Sequence, residues 1–364
     1  MKPKYSLVIP TLNGKEKLKY SLQNLISDDR DDIEILISDN LSDDNTYEYI
    51  KSLNSNKIRI IKTSKRIPAG ENLSFVISQA KGEWVTHMGD DDNIVVSRYN
   101  LFDKLIDNYE SIELIKTNWV KYYWHDYPDK DLANHLSPIK YFSYNYEIQD
   151  SLLFFKKNIN NPYLDAGNCW LFKKSLIQRI INKYGYFCHP QNLEFFFIRA
   201  CLLETKLILD IDIPFAISGS HKSSSSAIYN KKIESSWDWK LEDNKNFKFS
   251  PIQHKTYLSI SFDGLLRSIS LKEFAHLENE IDISRWVFFF IKSEIGYNLE
   301  VKEIIKKMKI VDKLKLLARI LKNILKRKVE TSKIDAYKFY NSRNIAQLSS
   351  KLNTEINKKT FFEL

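Results

Sequence analysis

The 364-residue sequence predicts an α/β fold, a mostly parallel central sheet with helices on both faces, extended by a helical C-terminal region. Three observations carry this expectation. Early in the chain, short apolar runs alternate with stretches of helical periodicity. Polar or acidic clusters directly follow three of those runs. Past residue 240 the helical period dominates. Alternation at this pitch means βαβ units, and βαβ units mean parallel strands.

The elements follow in order. Tyr5-Ser-Leu-Val-Ile-Pro10 is a short apolar run ending in proline, as a buried strand does. Leu18, Leu22, Leu25 and Ile26 then share one helical face within 15–27. Ile33–Ser38 reads as a second strand, and Tyr47, Ile50 and Leu53 mark a second helix. Ile58–Ile61 is a third strand; Leu73, Val76, Ile77 and Ala80 give a third helix; Trp84–Met88 is a fourth strand. Such sheets bind ligands beyond the carboxyl ends of their strands, near the point where strand order reverses. The residues in those places are Pro10-Thr-Leu-Asn13, Asp39-Asn40 and Gly89-Asp-Asp-Asp92. Further on, an aromatic-rich stretch at 119–127 precedes a short apolar run, Cys169–Phe172, and helices over about 175–184 and 191–204. The reading divides the chain into 1–105, 106–240 and 241–364.

Composition narrows the function classes. Apolar residues make up 43%, enough for a packed interior rather than a disordered chain. Three cysteines, Cys169, Cys188 and Cys201, have no zinc-type spacing and are too few for a disulfide framework, which points to a reducing, cytoplasmic setting. No stretch approaches the ~20 apolar residues of a membrane-spanning helix, and the first residues carry no apolar leader. A soluble or peripheral protein is expected. The net charge of +9 asks for an acidic partner, and the basic residues gather after residue 300.

Asp90-Asp91-Asp92 follows a strand and a single glycine. Burying three adjacent carboxylates is costly without a cation. A hard divalent ion such as Mg²⁺ or Mn²⁺ relieves the repulsion and shares its shell with phosphate oxygens, so a diphosphate ligand is implied. A solvated acidic turn is the plainer alternative.

On Leu7-Val-Ile-Pro-Thr-Leu-Asn13, on Ile37-Ser-Asp-Asn-Leu-Ser-Asp-Asp-Asn-Thr46, and on Asn72 through Ala80-Lys-Gly-Glu-Trp84 to Gly89-Asp-Asp-Asp92, the sequence resembles family 2 glycosyltransferases of the GT-A fold. It is most similar to the branch acting in bacterial O-antigen (lipopolysaccharide) and capsule assembly, in which an Asn stands ten residues before the glycine of Lys-Gly-Glu, as Asn72 does before Gly82. The resemblance covers residues 5–98. It implies a Rossmann-like nucleotide-sugar domain in which Pro10, Thr11 and Asn13 line the base and ribose pocket. Asp39 and Asn40 would stand at the base, a carboxylate suiting the imide N–H of uracil. The family's usual Asp-Asp-Gly-Ser reads Asp39-Asn-Leu-Ser42 here. Asp90 would face the ribose with Asp91 beside it, and Asp92, with Asp90, would hold the metal. For Arg66 and Asn72, donor contact and simple loop or helix-cap roles are equally open.

An inverting transfer needs one base, and the resemblance places it at the start of a helix about a hundred residues past the triplet. Glu194 occupies that place, against the plainer reading of a first-turn acid favoured by the helix dipole. Asp165 is the rival. The resemblance also implies a late histidine ligand for the metal, for which His221 qualifies, whereas His87 reads as structural. The expected activity is a metal-dependent, inverting, hexosyltransferase-type transfer from a UDP-sugar to a glycan or lipid-linked glycan. Two rivals remain: a sugar nucleotidyltransferase, for which Leu12-Asn-Gly-Lys15 is a poor substitute for a Gly-rich loop, and a non-catalytic membrane-surface module.

Between Val301 and Lys328, Ile304, Met308, Val311, Leu314, Leu317, Leu321 and Leu325 recur at helical spacing among eleven Lys or Arg. A basic amphipathic helix suits peripheral contact with an anionic membrane, on the inner face of the cytoplasmic membrane here. A helix packed on the catalytic part with a solvated basic face is weighed equally. Nucleic acid is not an expected partner, since no binding motif accompanies the charge.

Overall fold

The computed structural model describes residues 2–127, 145–162, 169–189, 193–222, 248–253, 256–293 and 298–326, with 143, 164, 224 and 296 singly. Asp165, Arg327 and Lys328 lie outside the described residues.

Four parallel strands form the first half of the sheet. They are β1 (Tyr5–Thr11), β2 (Ile33–Asp39), β3 (Ile58–Lys62) and β4 (Trp84–His87), in the order β3-β2-β1-β4. β1 and β2 are buried along nearly their whole length, as strands covered on both faces must be. Alternate side chains feed two cores. Leu7, Ile9, Ile35 and Ile37 meet Trp84, Tyr99 and Phe102 on one face. Val8, Leu36 and Val85 meet Val76, Phe172 and Phe197 on the other.

The connecting helices are α1 (Lys15–Ser21), α2 (Gln23–Ser27), α3 (Thr46–Ser52) and α4 (Ala69–Ser78). The single helix expected over 15–27 is interrupted at Leu22. That residue keeps right-handed helical dihedrals, and its N–H and C=O both make i,i+4 bonds, so α1 and α2 form one continuous helical run.

The sheet continues from β4 through β8 (Trp170–Lys173), β6 (Leu114–Tyr123) and β9 (Leu207–Ser220) to β5 (Asn93–Ile94), and β7 (Tyr146–Asp150) also pairs β9. The β6–β9 ladder is parallel and the other added ladders are antiparallel, so the sheet is mixed, with its longest ladders parallel. Helices α5 (Tyr99–Asn108), α6 (Ser151–Asn158), α7 (Lys174–Tyr184) and α8 (Leu193–Glu204) pack around it. The expectation of an α/β domain with a largely parallel sheet and a helical extension is met.

Two features of this topology position the site. The chain runs from β1 to β2 on one side, then returns to lay β4 on the other side of β1. The reversal of strand order therefore falls between β1 and β4. Strand β9 is fourteen residues long. Its register against β6 breaks around Asn118, and its second half carries Gly219 to the loop after β4.

Four helices follow: α9 (Tyr257–Ser268), α10 (Ile283–Lys292), α11 (Leu299–Lys307) and α12 (Ile310–Lys326). The starts of the first three are fixed by side chains that accept orphan helix N–H groups. Thr256 and Ser259 form a capping box, Asp282 accepts from Arg285 N–H, and Asn298 from Val301 N–H. Phe262, Trp286, Phe290, Val301, Met308 and Leu316 join the same core as α4 and α8. The helical region thus shares a core with one face of the sheet. The apolar pattern at 301–328 forms two helices, because Met308 leaves helical dihedrals with ψ 145° while its side chain stays buried. Among the described residues, no helix is long and apolar enough to cross a membrane.

Candidate active site

The loop after β4 is held from four sides. From β1, the Thr11 hydroxyl donates to Asp90 Oδ2 at 2.6 Å, bridging the point where strand order reverses. From α1, the Ser21 hydroxyl donates to the Asp90 carbonyl at 3.0 Å. The Trp124 indole N–H, just past β6, donates to the Asp91 carbonyl at 3.0 Å. Gly219 N–H of β9 donates to Asp92 Oδ1 at 2.8 Å, while Gly89 N–H closes the turn onto Asp92 Oδ2 at 2.8 Å.

This changes the division of labour expected within the triplet. Both Asp92 oxygens accept backbone N–H groups, and the carboxylate serves first to close its own turn. Asp90 is engaged by Thr11. His221, at the end of β9, places Nε2 3.4 Å from Asp91 Oδ2. Within the triplet expected to hold the metal, the structure sets His221 beside Asp91, while Asp92 also reaches β9, through Gly219 N–H.

The electrostatics suit a cation. Burial pushes the Asp91 carboxyl well above the usual carboxylate range, and the Asp92 and Asp90 charges push it further. Asp90 is raised as well, by burial first and by Asp92 and Asp44, against the Thr11 hydrogen bond. Burial lowers the His221 imidazole to about 4; Lys17 and Lys222 push the same way and Asp126 opposes. At neutral pH its ring is uncharged and carries a lone pair fit for a metal. Two adjacent ligands of an octahedral ion bonded at ~2.1 Å sit about 3 Å apart, close to the observed 3.4 Å. A carboxylate oxygen with an imidazole nitrogen fits Mn²⁺ or Mg²⁺, the imidazole tilting the pair toward Mn²⁺. Among the described residues no cluster of three or more His, Cys, Asp or Glu is assembled for a metal. A two-ligand site of this kind is completed by water and phosphate oxygens.

The residues that the resemblance assigns to the base stand at the end of β2. Asp39 is fully buried, with Lys62 Nζ 4.0 Å from its Oδ2 and Ser42 N–H 3.3 Å from its Oδ1. Asn40 ties the loop beyond β3: its Oδ1 accepts from Thr63 Oγ1 and Ile67 N–H, and its Nδ2 donates to the Ile67 carbonyl. Asn13, left-handed at φ 58°, locks the β1 loop to the β2 loop by accepting from Asp43 N–H and donating its own N–H to Ser42 Oγ. Arg66 bonds the Leu41 carbonyl and the Asp43 carboxylate. Asn72 is buried and pairs with the Ser38 hydroxyl and carbonyl, fixing α4 beneath β2. Pro10 pairs in register with Ser38 next to Asp39. Pro10, Thr11 and Asp39 stand at the strand ends, whereas the side chains of Asn13, Asn40, Arg66 and Asn72 bond to neighbouring loops and strands.

Glu194 is half-buried in the first turn of α8. One turn on, Phe197 packs edge-on against the His87 ring at 5.7 Å. Residues i and i+3 share a helix face, so Glu194 lies on the face of α8 turned toward the end of β4. His87 is lowered to about 4 by burial, in keeping with a structural role.

Several residues of the site were not anticipated. A Cβ on Gly14 would lie 2.3 Å from both Asp90 Oδ2 and Thr11 Oγ1, and one on Gly219 would lie 1.9 Å from the Asp91 carbonyl oxygen. Both glycines exist to let the loops meet. Gly219 stands in the Ser218-Gly-Ser-His segment already singled out for its histidine, a signal that could have found it. Trp124, within the aromatic-rich stretch, is buried and braces the turn. Lys17 and Lys121 supply positive field to the acidic turn, Lys121 being lowered by burial and held up by Asp92 and Asp91.

With this geometry in place, the chain can be set beside known proteins. Residues 6–180 match the family described as Glycosyl transferase family 2. The GalNAc(5)-diNAcBac-PP-undecaprenol beta-1,3-glucosyltransferase of Campylobacter jejuni is 33% identical over 97 residues, 26% of this chain and 31% of that protein. The match thus spans about a third of that relative's length. Among solved structures, S. aureus TarS 1–349 in complex with UDP aligns at TM-score 0.49 and 12% identity, over 99% of this chain and 93% of that one. The mannosyltransferase PcManGT from Pyrobaculum calidifontis, in complex with GDP-Man and Mn²⁺, aligns at TM-score 0.45 and 11% identity, over 98% and 88%.

Residues 6–180 are thereby identified as a glycosyl transferase family 2 domain.

Proposed function

We propose that this protein transfers a hexose from a UDP-sugar to a lipid-linked glycan with inversion, assisted by Mn²⁺ or Mg²⁺, in bacterial surface polysaccharide synthesis. The observation that carries the reading is the Asp91–His221 pair at 3.4 Å, beside the Thr11–Asp90 bridge where strand order reverses. Asp91 and His221 would hold the ion. When bound, it supplies charge neutralisation for a departing diphosphate. Thr11 fixes Asp90 facing the ribose, and Asp39 offers a buried carboxylate that suits the imide N–H of uracil. Glu194, approaching from α8, would take the proton of the acceptor hydroxyl as it attacks the anomeric carbon; such a group contributes ~10²–10⁴-fold. Asp165, outside the described residues, remains the rival base. The lipid-linked acceptor is suggested by the Campylobacter relative, whose name states one. An acceptor anchored in this way places the enzyme peripherally at the cytoplasmic face of the membrane.

The test is calorimetric binding of UDP, GDP and dTDP, each with Mn²⁺ and with EDTA, to the wild type and to Asp91→Asn and His221→Ala. The reading expects UDP to bind in the metal-dependent mode and both variants to lose it. Equal binding with EDTA, or unchanged metal-dependent binding in both variants, would refute the assignment. Nuclear magnetic resonance of the product's anomeric centre decides inversion.

A further inference from the structure

The inner and outer faces of α12 have different fates. Leu316 is buried in the shared core, Arg319 pairs with the Asp282 carboxylate, and Asn323 accepts from Lys292. This inner side seats the helix on α10. On the opposite side, Ile310 is 75% exposed, Leu314 61%, Leu317 52% and Leu321 52%. Spaced by four, three and four residues, these form one stripe along the helix axis. Val311, 61% exposed, and the exposed Ala318 border it. Among the described residues no element packs on this stripe.

The charge around it is one-sided. Residues 299–326 hold nine Lys or Arg against three acids. Lys315 and Lys322 flank the stripe on one side and Lys313 on the other; Lys302, Lys306, Lys307 and Lys309 extend the basic field along α11 and the turn. Two of the three acids are already engaged, Glu303 by Lys306 and Asp312 by Lys315. Solvent alone gives no reason for a row of large aliphatic side chains, and a neutral apolar partner gives no reason for the lysines. An anionic bilayer accounts for both, taking the aliphatic stripe below the headgroups and the ammonium groups among the phosphates.

We infer that the outer face of α12, with Ile310, Leu314, Leu317 and Leu321 at its centre, docks the enzyme on an anionic lipid surface. The inference extends the reading of a lipid-borne acceptor by naming the surface that would bring the enzyme to it. Its test reads lipid binding without donor or acceptor, so either reading can fail alone.

The full chain is sedimented with phosphatidylcholine vesicles and with vesicles that also contain phosphatidylglycerol. Variants are Leu314→Gln/Leu317→Gln/Leu321→Gln, which alters only exposed side chains, and Lys315→Gln/Lys322→Gln. Circular dichroism and nucleotide binding report that each variant is folded. The wild type is expected to bind the anionic vesicles, less so as salt rises, and the triple variant to lose at least about tenfold in partitioning. The lysine variant should lose several-fold and only on anionic vesicles. In a separate Leu317→Trp variant, the tryptophan emission should shift to the blue on vesicle addition. No vesicle binding by the wild type, or equal binding by a folded triple variant, would overturn the inference. So would a concentration-dependent dimer that the triple variant abolishes without vesicle binding, which would give this face to a second copy of the chain.

Discussion

Gly219→Ala is the sharpest probe of how the site is assembled. A Cβ at that position meets the Asp91 carbonyl oxygen at 1.9 Å and Trp124 Nε1 at 2.7 Å. The first obstacle is backbone and cannot rotate aside. Restoring even the shortest tolerable contact of 3.0 Å requires the Asp91 turn and β9 to separate by at least 1.1 Å. That movement breaks two bonds, Gly219 N–H to the Asp92 carboxylate and Trp124 N–H to the Asp91 carbonyl. A hydrogen bond to a charged group is worth ~1.5–3 kcal/mol and a neutral one ~0.5–1.5, so a loss of about 2–4 kcal/mol is expected. The same movement pulls His221 from Asp91, and misplacing a catalytic constellation by ~1 Å costs on the order of 10²-fold. Thermal unfolding and metal-dependent UDP binding, measured on the same preparation, read both effects. Gly185→Ala is the control. Gly185 has φ +84° with open space around it, so alanine there costs ~1–2 kcal/mol of strain with no effect on binding. If Gly219→Ala unfolds and binds like the wild type, the proposed locking of the turn by β9 is wrong.

Other expectations concern separate parts of the molecule. Glu194→Gln should lower kcat by ~10²–10⁴-fold with little change in UDP affinity; a kcat within a few-fold of wild type would move the base elsewhere. Thr11→Val leaves Asp90 without its hydroxyl donor, which should cost about 1–3 kcal/mol of stability and weaken nucleotide binding; unchanged melting would show that water replaces the hydroxyl. Removing Mn²⁺ and Mg²⁺ with EDTA should abolish transfer, and Mn²⁺ should restore it better than Mg²⁺. Asp282 gives a pH signature. Burial raises its pKa, but the Ser284 hydroxyl, the Arg319 charge and Arg285 N–H outweigh that and hold it below its ordinary 3.8. A depressed folded pKa means the stabilisation is complete above about pH 4 and is lost as pH falls through the folded value. Hydrogen exchange in α10 and α12 should therefore quicken below about pH 4 in the wild type, and Asp282→Asn should show faster exchange already at neutral pH with no such acid step.

Much of the architecture can be read from the chain, because strand burial and strand-end chemistry are both local. The apolar runs at 5–10, 33–38 and 58–61 became strands, since a parallel sheet covered on both faces needs uninterrupted apolar segments. Thr11, Asp39 and Asp90 stand at or just past the carboxyl ends of β1, β2 and β4, where the alternation of apolar runs and polar clusters put them. The helical periodicity beyond 240 likewise reported α9 to α12 without knowledge of their packing.

What the tertiary structure alone decided depends on contacts between distant segments. The resemblance put the metal on Asp92 with Asp90; only the folded chain shows Gly219, 127 residues beyond Asp92, bonded to the Asp92 carboxylate and His221 beside Asp91. Gly14, Gly219 and Trp124 carry no local signature, because their roles exist only where β1, β6 and β9 converge on one loop. The basic helix shows the same limit. Periodicity marks its apolar residues, but Met308 and Leu316 point into the core while Leu314, Leu317 and Leu321 face outward. Seating α12 on α10 is what separates the side that holds the fold from the side left open to a partner.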